Sequence, residues 1–412
     1  MAIWYPALNA MMLEMCGNIT GEGPHSMARR VPGVMLQHAI GRMNQMPVLG
    51  LGYAYYPDEA FLIWSFDRFF NNDIWISSHK TRLGIDYDEQ KKLPDEPEMV
   101  AEAFQYEKRH QELFELADIT PLGVYYSPAS RSFNGDSGED YATGFHDTVR
   151  ELYLRNLPFA VMPTVPDAQT VPFLLLSDCD CLSAAERAAL EQYRAAGGTL
   201  LVCGLFGNRD EHGDPAGAPA LAAFGITQKL PRLDREVPDK TRFFDQWGWS
   251  VNRDIPVQVE FSGIRPQAGN GFYRTAERFF WTPRRLHDAA NRKQVLDETA
   301  ELLPPPPVRV TAPEMLQYRL YRAAAGGWVV HFMPTGQTTV PHEYLRFQGQ
   351  GEPVVREVHY VPLQGQIELS GEFAQATLYS PDLTEARALT VCGGRAATSL
   401  DGLKRFFSIR LQ

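Results

Sequence analysis

Carboxylates that end apolar runs are the residues in this chain best placed to do chemistry. Glu14 closes the apolar run from Ala10 to Met15, and Asp58 and Glu59 follow a Tyr-Tyr-Pro sequence. Carboxylate oxygens at such places can accept hydrogen bonds from substrate hydroxyls. Each also has a plainer alternative. Glu14 can bond to nearby backbone, and Asp58 and Glu59 suit the first turn of a helix, where the dipole favours negative charge.

Aromatic side chains are dense between residues 1 and 90. Trp64, Tyr55 and Tyr56 are candidates for stacking on the C–H-rich face of a sugar ring, because an aromatic ring offers a flat apolar surface. Trp4, Tyr53 and Trp75 belong to the same group. Most of these rings are expected in the core, with one or two lining a site.

The histidines and cysteines do not indicate a metal or thiol centre. His25 and His38 lack a His-x-x-x-His or Cys-x-x-Cys spacing, so no metal site is expected. Cys203 lacks the glycine-flanked strand-to-helix elbow that presents a nucleophilic thiol, and Cys179 and Cys181 are expected to be reduced structural thiols. The glycine-rich loops lack the lysine and the setting of a phosphate cradle, so no cofactor is expected.

Length and charge set further limits. The chain has 412 residues, which predicts two or three domains. Its net charge of −11 and the lack of a basic run argue against nucleic-acid binding. No apolar stretch reaches the ~18 residues of a membrane span and no leader pattern is seen, so a cytoplasmic protein without membrane contact is expected.

The stretch from Pro121 to Gly204 predicts an open parallel sheet, because strand-like and helix-like runs alternate along it. The strand-like runs are PLGVYYS, PFAVMP, VPFLLLS and TLLVCG. The second helix is well bounded, since Ser183 and Glu186 form a capping box and Gly197 and Gly198 favour a left-handed stop. Continuous apolar strands that alternate with amphipathic helices indicate a sheet buried on both faces.

The flanking regions have different patterns. Before the sheet, Val31 to Met43 is helix-like, Pro47 to Tyr56 is strand-like, and the linker LPDEPE leads into a charged helix from Met99 to Ala117. After it, a helix is expected near His287 to Leu303, and PPPP marks a stiff boundary. Short alternating runs then predict an antiparallel β-sandwich. They are VRVTAP, MLQYRLYRA, GWVVHFM, VVREVHYVP, GQIELS, ATLYSPD and FFSIRLQ.

From about Glu98 onward the chain resembles the latter two thirds of family-42-type glycoside hydrolases, the bacterial β-galactosidase relatives. The resemblance rests on VYYS, LSAAERAALEQYRAAGGTLLVCG, APALAAFGI and the Ser-Pro-Asp within LYSPD. In that family a catalytic (β/α)8 barrel precedes a trimerisation domain of the class I glutamine-amidotransferase fold and a small β-sandwich. The resemblance implies an α/β multidomain protein. Residues 1–97 would be the C-terminal part of a barrel, 98–303 a flavodoxin-like, amidotransferase-like trimerisation domain with an irregular insertion at about 228–300, and 304–412 the β-sandwich.

The resemblance also implies a site. In the family the nucleophilic Glu ends a late strand and is followed by a loop, a helix and the last strand. MMLEMCGNITGEGPHS, Val31 to Met43 and PVLGLGYAYY follow that order, which makes Glu14 the nucleophile equivalent. Trp64, Tyr55, Tyr56 and Glu59 would then contact a carbohydrate substrate, and the protein would be a homo-oligomer, with a trimer as the family's form.

A count of residues limits this interpretation. A (β/α)8 barrel needs ~250 residues, and at least about 200, whereas about 115 precede the central sheet. The family's acid/base lies in an Asn-Glu pair on a middle strand, and nothing before Glu14 supplies it. The expectation is therefore the C-terminal portion of a retaining glycoside hydrolase for β-linked sugars, inactive without the missing barrel strands. The alternative is a non-catalytic oligomerisation or carbohydrate-associated module.

Overall fold

A computed structural model of the chain describes residues 11–15, 28–46, 48–54, 56–78, 96–133, 137–217, 219–224, 226–229, 258–261, 267–268, 272–335, 338–341 and 356–412. The chain forms two compact units. Unit 1 combines Met1–Thr120, Val149–Val161 and Pro304–Gln412, and unit 2 combines Pro121–Thr148 and Met162–Leu303. Within the described ranges, no helix has the length and apolar character needed to cross a bilayer.

Unit 1 begins with a small parallel sheet. Its elements are β1 (Met11–Met15), α1 (Val31–Met43), β2 (Val48–Ala54), α2 (Pro57–Phe69) and β3 (Asp73–Ser78). The strand order is β1-β2-β3, and both strand pairs are parallel. Two successive strand-helix-strand connections therefore build this sheet.

The family resemblance implies that Pro47 to Tyr56 forms the last strand. Strand β2 is instead the central strand of this sheet. Strand β3 pairs with its other edge, from Leu49 opposite Asp73 to Ala54 opposite Ser78. A turn at Asn71, which has a φ of 56°, ends α2 and leads the chain into β3. β3 is short and lacks a long apolar run, so the sequence pattern did not reveal it.

Helix α2 is almost entirely buried. Pro57 starts it and Asp58 and Glu59 lie in its first turn, an arrangement that suits a helix N-terminus. From Ala60 onward nearly every side chain is buried. Such a helix must be covered on all sides, and α2 packs against β2, β3 and other elements of unit 1.

The next segment of unit 1 differs from the predicted helix Met99 to Ala117. Helix α3 (Glu96–Arg109) stops earlier, a 3₁₀ turn (Gln111–Leu113) follows, and β4 (Leu116–Asp118) pairs with a distant strand. That pairing is a long-range contact, which local sequence does not contain.

Unit 2 contains the predicted open sheet. Its elements are β5 (Leu122–Tyr125), α4 (Pro128–Phe133), α5 (Ser137–Leu154), β6 (Phe159–Met162), β7 (Phe173–Cys181), α6 (Ala184–Ala195), β8 (Thr199–Arg209), β9 (Ile226–Lys229), β10 (Gln258–Phe261), β11 (Gln267–Ala268), β12 (Tyr273–Ala276), β13 (Phe279–Thr282) and α7 (Ala289–Leu302). Helix α5 and strand β6 each contain residues of both units. The order of the main sheet is β11-β12-β13-β8-β7-β5-β6. Strands β5, β7, β8 and β13 are parallel, whereas β11 and β12 are antiparallel additions.

The boundaries of α6 match the sequence prediction. The Ser183 hydroxyl accepts a hydrogen bond from the Glu186 amide, and the Glu186 carboxylate accepts one from the Ser183 amide. Gly197, with a φ of 100°, follows the helix. Most of the predicted insertion at 228–300 lies outside the described residues, but α7 lies inside the helix expected near His287 to Leu303.

The rest of unit 1 is antiparallel. Its strands are β14 (Val308–Thr311), β15 (Leu316–Ala323), β16 (Trp328–Pro334), β17 (Thr338–Pro341), β18 (Arg356–His359), β19 (Gln366–Gly371), β20 (Ala376–Tyr379), β21 (Arg387–Leu389), β22 (Val391–Cys392), β23 (Arg395–Ser399) and β24 (Phe407–Leu411). One sheet has the order β14-β19-β23-β22 and another β21-β20-β24-β16-β15-β4. Side chains from both sheets, such as Ile367 and Phe332, share one apolar core.

Candidate functional site

The carboxyl edge of the β1-β2-β3 sheet is the candidate site. The three strands run parallel and end at Met15, Ala54 and Ser78. Side chains at the carboxyl ends of parallel strands meet at one edge of the sheet, where α/β enzymes carry their functional groups. The sequence-predicted residues Glu14, Tyr56 and Glu59 lie at or just after these strand ends.

Glu14 is the penultimate residue of β1. The register pairs position 14 with Leu51, and Leu51 with Trp75. Paired positions lie on the same face of a sheet, and neighbouring strands are ~4.8 Å apart. These three positions therefore form one row across the sheet.

The glycines of β2 show which face carries this row. A Cβ atom at Gly50 would overlap the Asp67 carboxyl, and one at Gly52 would overlap Ile63, both on α2. Positions 50 and 52 therefore face the helix. Because side chains alternate along a strand, Leu51 and Trp75 lie on the face opposite α2, which is the inner face when such a sheet closes into a barrel.

Trp64 lies in the core of unit 1. Its side chain is fully buried, and its indole N–H donates to Glu107 Oε2 at 2.8 Å. Its ring makes edge contacts with Tyr106, Phe114 and Phe406. Both faces are occupied by protein, so in this structure the ring has no face open to a sugar.

Trp75 is the exposed tryptophan of this sheet, with 54% of its surface accessible. By sequence alone, Trp75 is only one of a group of aromatic residues that could stack on a sugar. Strand β3 contained a signal that could have separated it from Trp64, since Ile74 and Ile76 alternate with Trp75 along DIWISS. The isoleucines pair with Gly50 and Gly52 and so lie on the helix face, which leaves Trp75 on the other one.

Tyr56 and Glu59 lie at the start of α2. Tyr56 is the N-cap residue in extended conformation, with a φ of −135° and a ψ of 157°, and its carbonyl accepts from the Ala60 amide at 3.0 Å. Glu59 lies in the first helical turn, half-buried. Tyr55 lies outside the described residues, as do Trp4 and His25.

A buried polar cluster lies on the helix side of β2. Asp67 is fully buried, and neither of its carboxyl oxygens accepts a well-formed hydrogen bond from the described residues. Burial raises the pKa of Asp67 well above its ordinary value, against the opposing effects of Asn72 and Arg68. The Asn72 side chain also contacts His38 on α1. Burial, with help from Arg42 and Arg319, lowers the pKa of His38 to about 3.

The carboxyl edge of the unit 2 sheet is a second place to consider, because open sheets bind ligands where the strand order reverses. Here the order reverses at β5, between β6 and β7. The start of α4 fills this place. The Ser130 hydroxyl donates to the Cys181 carbonyl at 3.2 Å and accepts from the Cys181 amide at 3.1 Å, and the Ser127 amide donates to the Tyr141 hydroxyl at 2.5 Å.

The buried thiols of unit 2 are poorly suited to nucleophilic attack. Cys179 and Cys203 are fully buried. Burial raises the pKa of both thiols well above the ordinary value, and the Asp178 carboxylate adds to the effect. The thiolate is the reactive form, so these cysteines are held in the unreactive one. Among the described residues, no group of three His, Cys, Asp or Glu side chains could hold a metal ion.

Comparison with known proteins finds likeness only at the level of structure. No protein-family model and no curated protein matches the chain. A GH42 beta-galactosidase from G. stearothermophilus, in a catalytic-mutant form, matches with a TM-score of 0.63 and 12% identity, over 100% of this chain and 60% of its own. Alpha-L-fucosidase isoenzyme 2 from Paenibacillus thiaminolyticus matches with a TM-score of 0.58 and 13% identity, over 98% of this chain and 65% of its own.

A beta-galactosidase from Rahnella sp. R3 matches similarly, with a TM-score of 0.57 and 10% identity over 96% of this chain and 61% of its own. This chain therefore spans about three fifths of the length of the structures it resembles. At such identities the likeness shows a shared fold. The chain has a glycoside-hydrolase-like fold that mixes parallel and antiparallel sheets.

Proposed function

We propose that this chain is the C-terminal portion of a retaining glycoside hydrolase for β-linked sugars, with Glu14 as its nucleophile. The observation that carries the proposal is the position of Glu14, which is the penultimate residue of a parallel strand and is paired in register with Leu51. The fold likeness to beta-galactosidases over the whole chain supports it.

Retaining hydrolysis sets the chemical requirements. One carboxylate attacks the anomeric carbon and forms a glycosyl-enzyme, and a second carboxyl ~5–5.5 Å away protonates the leaving group and then activates water. In our proposal Glu14 is the first group, and the second comes from barrel strands outside this chain. Tyr55, Tyr56, Glu59 and Trp75 are the proposed sugar contacts. The 412-residue chain alone is expected not to turn over substrate.

The domain assignment belongs to the same proposal. Residues 1–97 contribute the last strands of a barrel, 98–303 form an amidotransferase-like trimerisation domain, and 304–412 form a β-sandwich. We propose that the protein acts as a cytoplasmic homo-oligomer, with three copies as the expected number, and that it needs no cofactor.

The experiment uses the chain extended at its N-terminus by the residues that complete the barrel. Hydrolysis of 4-nitrophenyl β-D-galactoside is measured for the parent, for Glu14→Gln and for Glu98→Gln, an exposed glutamate of α3 that serves as the matched control. Glu14→Gln is expected to lower kcat/KM by about a thousand-fold or more, because it removes a group that acts in the transition state. The control is expected to match the parent.

Covalent trapping gives a second test. A 2-deoxy-2-fluoro-β-galactosyl fluoride should label the peptide that contains Glu14, as shown by mass spectrometry after digestion. An active parent in which Glu14→Gln retains full activity, or in which another residue carries the label, would remove Glu14 from the mechanism.

A non-catalytic assembly module is the second candidate. The filled carboxyl edge of the unit 2 sheet favours it, because α4 occupies the place where such sheets bind ligands. It predicts that the extended protein cleaves no β-glycoside and that the 412-residue chain still forms a defined oligomer, as measured by light scattering.

A further inference from the structure

The Ser380-Pro381-Asp382 turn of unit 1 organises a set of contacts that reach helix α2. The Ser380 hydroxyl accepts from the Asp382 amide at 3.1 Å. Asp382 Oδ2 then accepts from the amides of Lys404 and Arg405 at 2.8 and 2.9 Å, and Asp382 Oδ1 accepts from Arg405 Nε at 2.8 Å. The turn thus fixes both the backbone and the side chain of Arg405.

Arg405 links this turn to helices α2 and α3, which pack against the parallel sheet. Its Nη1 donates to Glu102 Oε1 on α3 at 2.7 Å, and its guanidinium carbon lies 4.7 Å from the centre of the Phe61 ring on α2. Only 10% of the Arg405 side chain is accessible. A guanidinium that is held by two carboxylates and stacked on a ring has little freedom to move.

Other contacts from the antiparallel strands hold the rest of α2. The Tyr360 hydroxyl donates to the Asp58 carbonyl in the first turn at 2.8 Å. Phe406 packs edge-on against Trp64 at 5.5 Å, and the Tyr321 hydroxyl donates to the Phe69 carbonyl at the far end at 2.5 Å. We call this set of residues the α2 clamp: Tyr321, Tyr360, Asp382, Arg405 and Phe406.

The clamp bears directly on the candidate site, because α2 begins where β2 ends. Its first turn holds Tyr56, Asp58 and Glu59. The first turn of a helix frays more readily than its middle, because its first four amides have no intrahelical partner, so contacts from outside the helix help to hold it. The Tyr360–Asp58 hydrogen bond holds this one from outside the sheet.

We propose that Tyr360, and Asp382 acting through Arg405, are positioning residues that set the first turn of α2 and thereby place Tyr56 and Glu59 for the substrate. This inference rests on the proposed glycosidase function. In it, the antiparallel part of unit 1 contributes to substrate binding without touching the sugar.

The test removes one hydroxyl group. Tyr360→Phe keeps the ring and deletes the hydrogen bond to Asp58. Tyr318→Phe is the matched control, because the Tyr318 hydroxyl also donates to a backbone carbonyl, that of Val310, at 3.4 Å but within the antiparallel strands. Arg405→Lys is a second variant, since an ammonium keeps the charge but cannot bridge both carboxylates in the planar geometry of arginine.

Two readouts are compared. Amide hydrogen exchange on the 412-residue chain is expected to speed up in peptides covering 56–66 for Tyr360→Phe and Arg405→Lys, with α6 unchanged and Tyr318→Phe like the parent. In the extended protein, KM for the galactoside is expected to rise about three- to ten-fold, the size of one hydrogen bond, with kcat falling less.

The outcomes separate the clamp from the glycosidase. Unchanged exchange in peptides 56–66 contradicts the clamp, whatever the activity. Faster exchange with unchanged KM and kcat contradicts its role at the site. If the parent cleaves no sugar while Tyr360→Phe still speeds exchange, the proposed glycosidase function is contradicted, and with it the role of the clamp in substrate binding. The same result still supports the clamp's hold on helix α2.

Discussion

The two tryptophans of the parallel sheet region differ in environment, and this decides what each can do. Trp64 is fully buried and donates a hydrogen bond to Glu107, whereas Trp75 is 54% accessible. Residue type alone cannot separate them. Only the packing of α2 against its neighbours shows that the first is structural.

Replacing each tryptophan by alanine gives a direct comparison. Trp64→Ala is expected to lower the free energy of unfolding by about 3–5 kcal/mol, because it leaves a large cavity and removes the indole hydrogen bond to Glu107. Trp75→Ala is expected to change it by no more than about 0.5 kcal/mol, as exposed substitutions do. Urea unfolding followed by circular dichroism measures both, and equal losses would contradict the assigned environments.

Asp67 makes stability depend on pH. Burial raises its pKa in the folded state above the unfolded value of 3.8. The folded protein therefore binds more protons than the unfolded one above pH 3.8, so this group costs stability as the pH rises. Below pH 3.8 it is protonated in both states and the effect vanishes.

Asp67→Asn is expected to remove this dependence. The variant should gain stability relative to the parent as the pH rises from about 4, and the two should converge below that pH. Urea midpoints across pH measure the difference, with the exposed Asp401→Asn as control. A parent and variant that run parallel across the whole range would show that the Asp67 carboxyl is not perturbed by folding.

At the scale of elements, His331 joins strands β16 and β24. It is fully buried, its Nδ1 lies 2.7 Å from the Ser408 hydroxyl, and its ring stacks on Phe114. Burial, together with Arg68 and Arg319, lowers its pKa from 6.5 to about 3. The contribution of the neutral ring is therefore present above pH 6.5 and is lost as the pH falls toward 3.

His331→Gln is expected to flatten the acid side of the stability profile. Its absolute stability will be lower at pH 7, but the further loss between pH 6.5 and 3 should be smaller than in the parent. His359→Gln, at an exposed position, should leave the slope unchanged. Thermal unfolding across pH tests this, and equal slopes for His331→Gln and the parent would contradict it.

The sequence predicted those elements whose boundaries are set by local chemistry. Helix α6 is an example, since its start depends on Ser183 and Glu186 and its end on Gly197. Strand β4 was not predicted, because its partner is distant in the sequence. β4 exists because Leu116 to Asp118 pair with Tyr321 to Ala323, about 200 positions away, and no local pattern records such a partner.

The candidate site was predictable in its position along the chain but not in its details. Glu14 lies near a strand end, as its apolar run suggested. The structure adds a strand beside β2, which the strand order expected from the family resemblance did not contain. On the scale of the whole molecule this matters for our proposal, because the edge of β2 opposite β1 is occupied by β3. Strands that complete a barrel would therefore add at the outer edges of β1 and β3.

Unit 1 is built from stretches that lie far apart in the sequence, and this affects how it forms during translation. Arg405 lies 303 positions after its partner Glu102, and Phe406, which covers Trp64, is translated next to it. At ~5–20 residues per second, the early-made helices wait about 15–60 s for these partners to leave the ribosome. Unit 2 is complete once Leu303 has emerged and can fold first. During that wait the apolar face of nascent α2 is available to chaperones and to neighbouring chains.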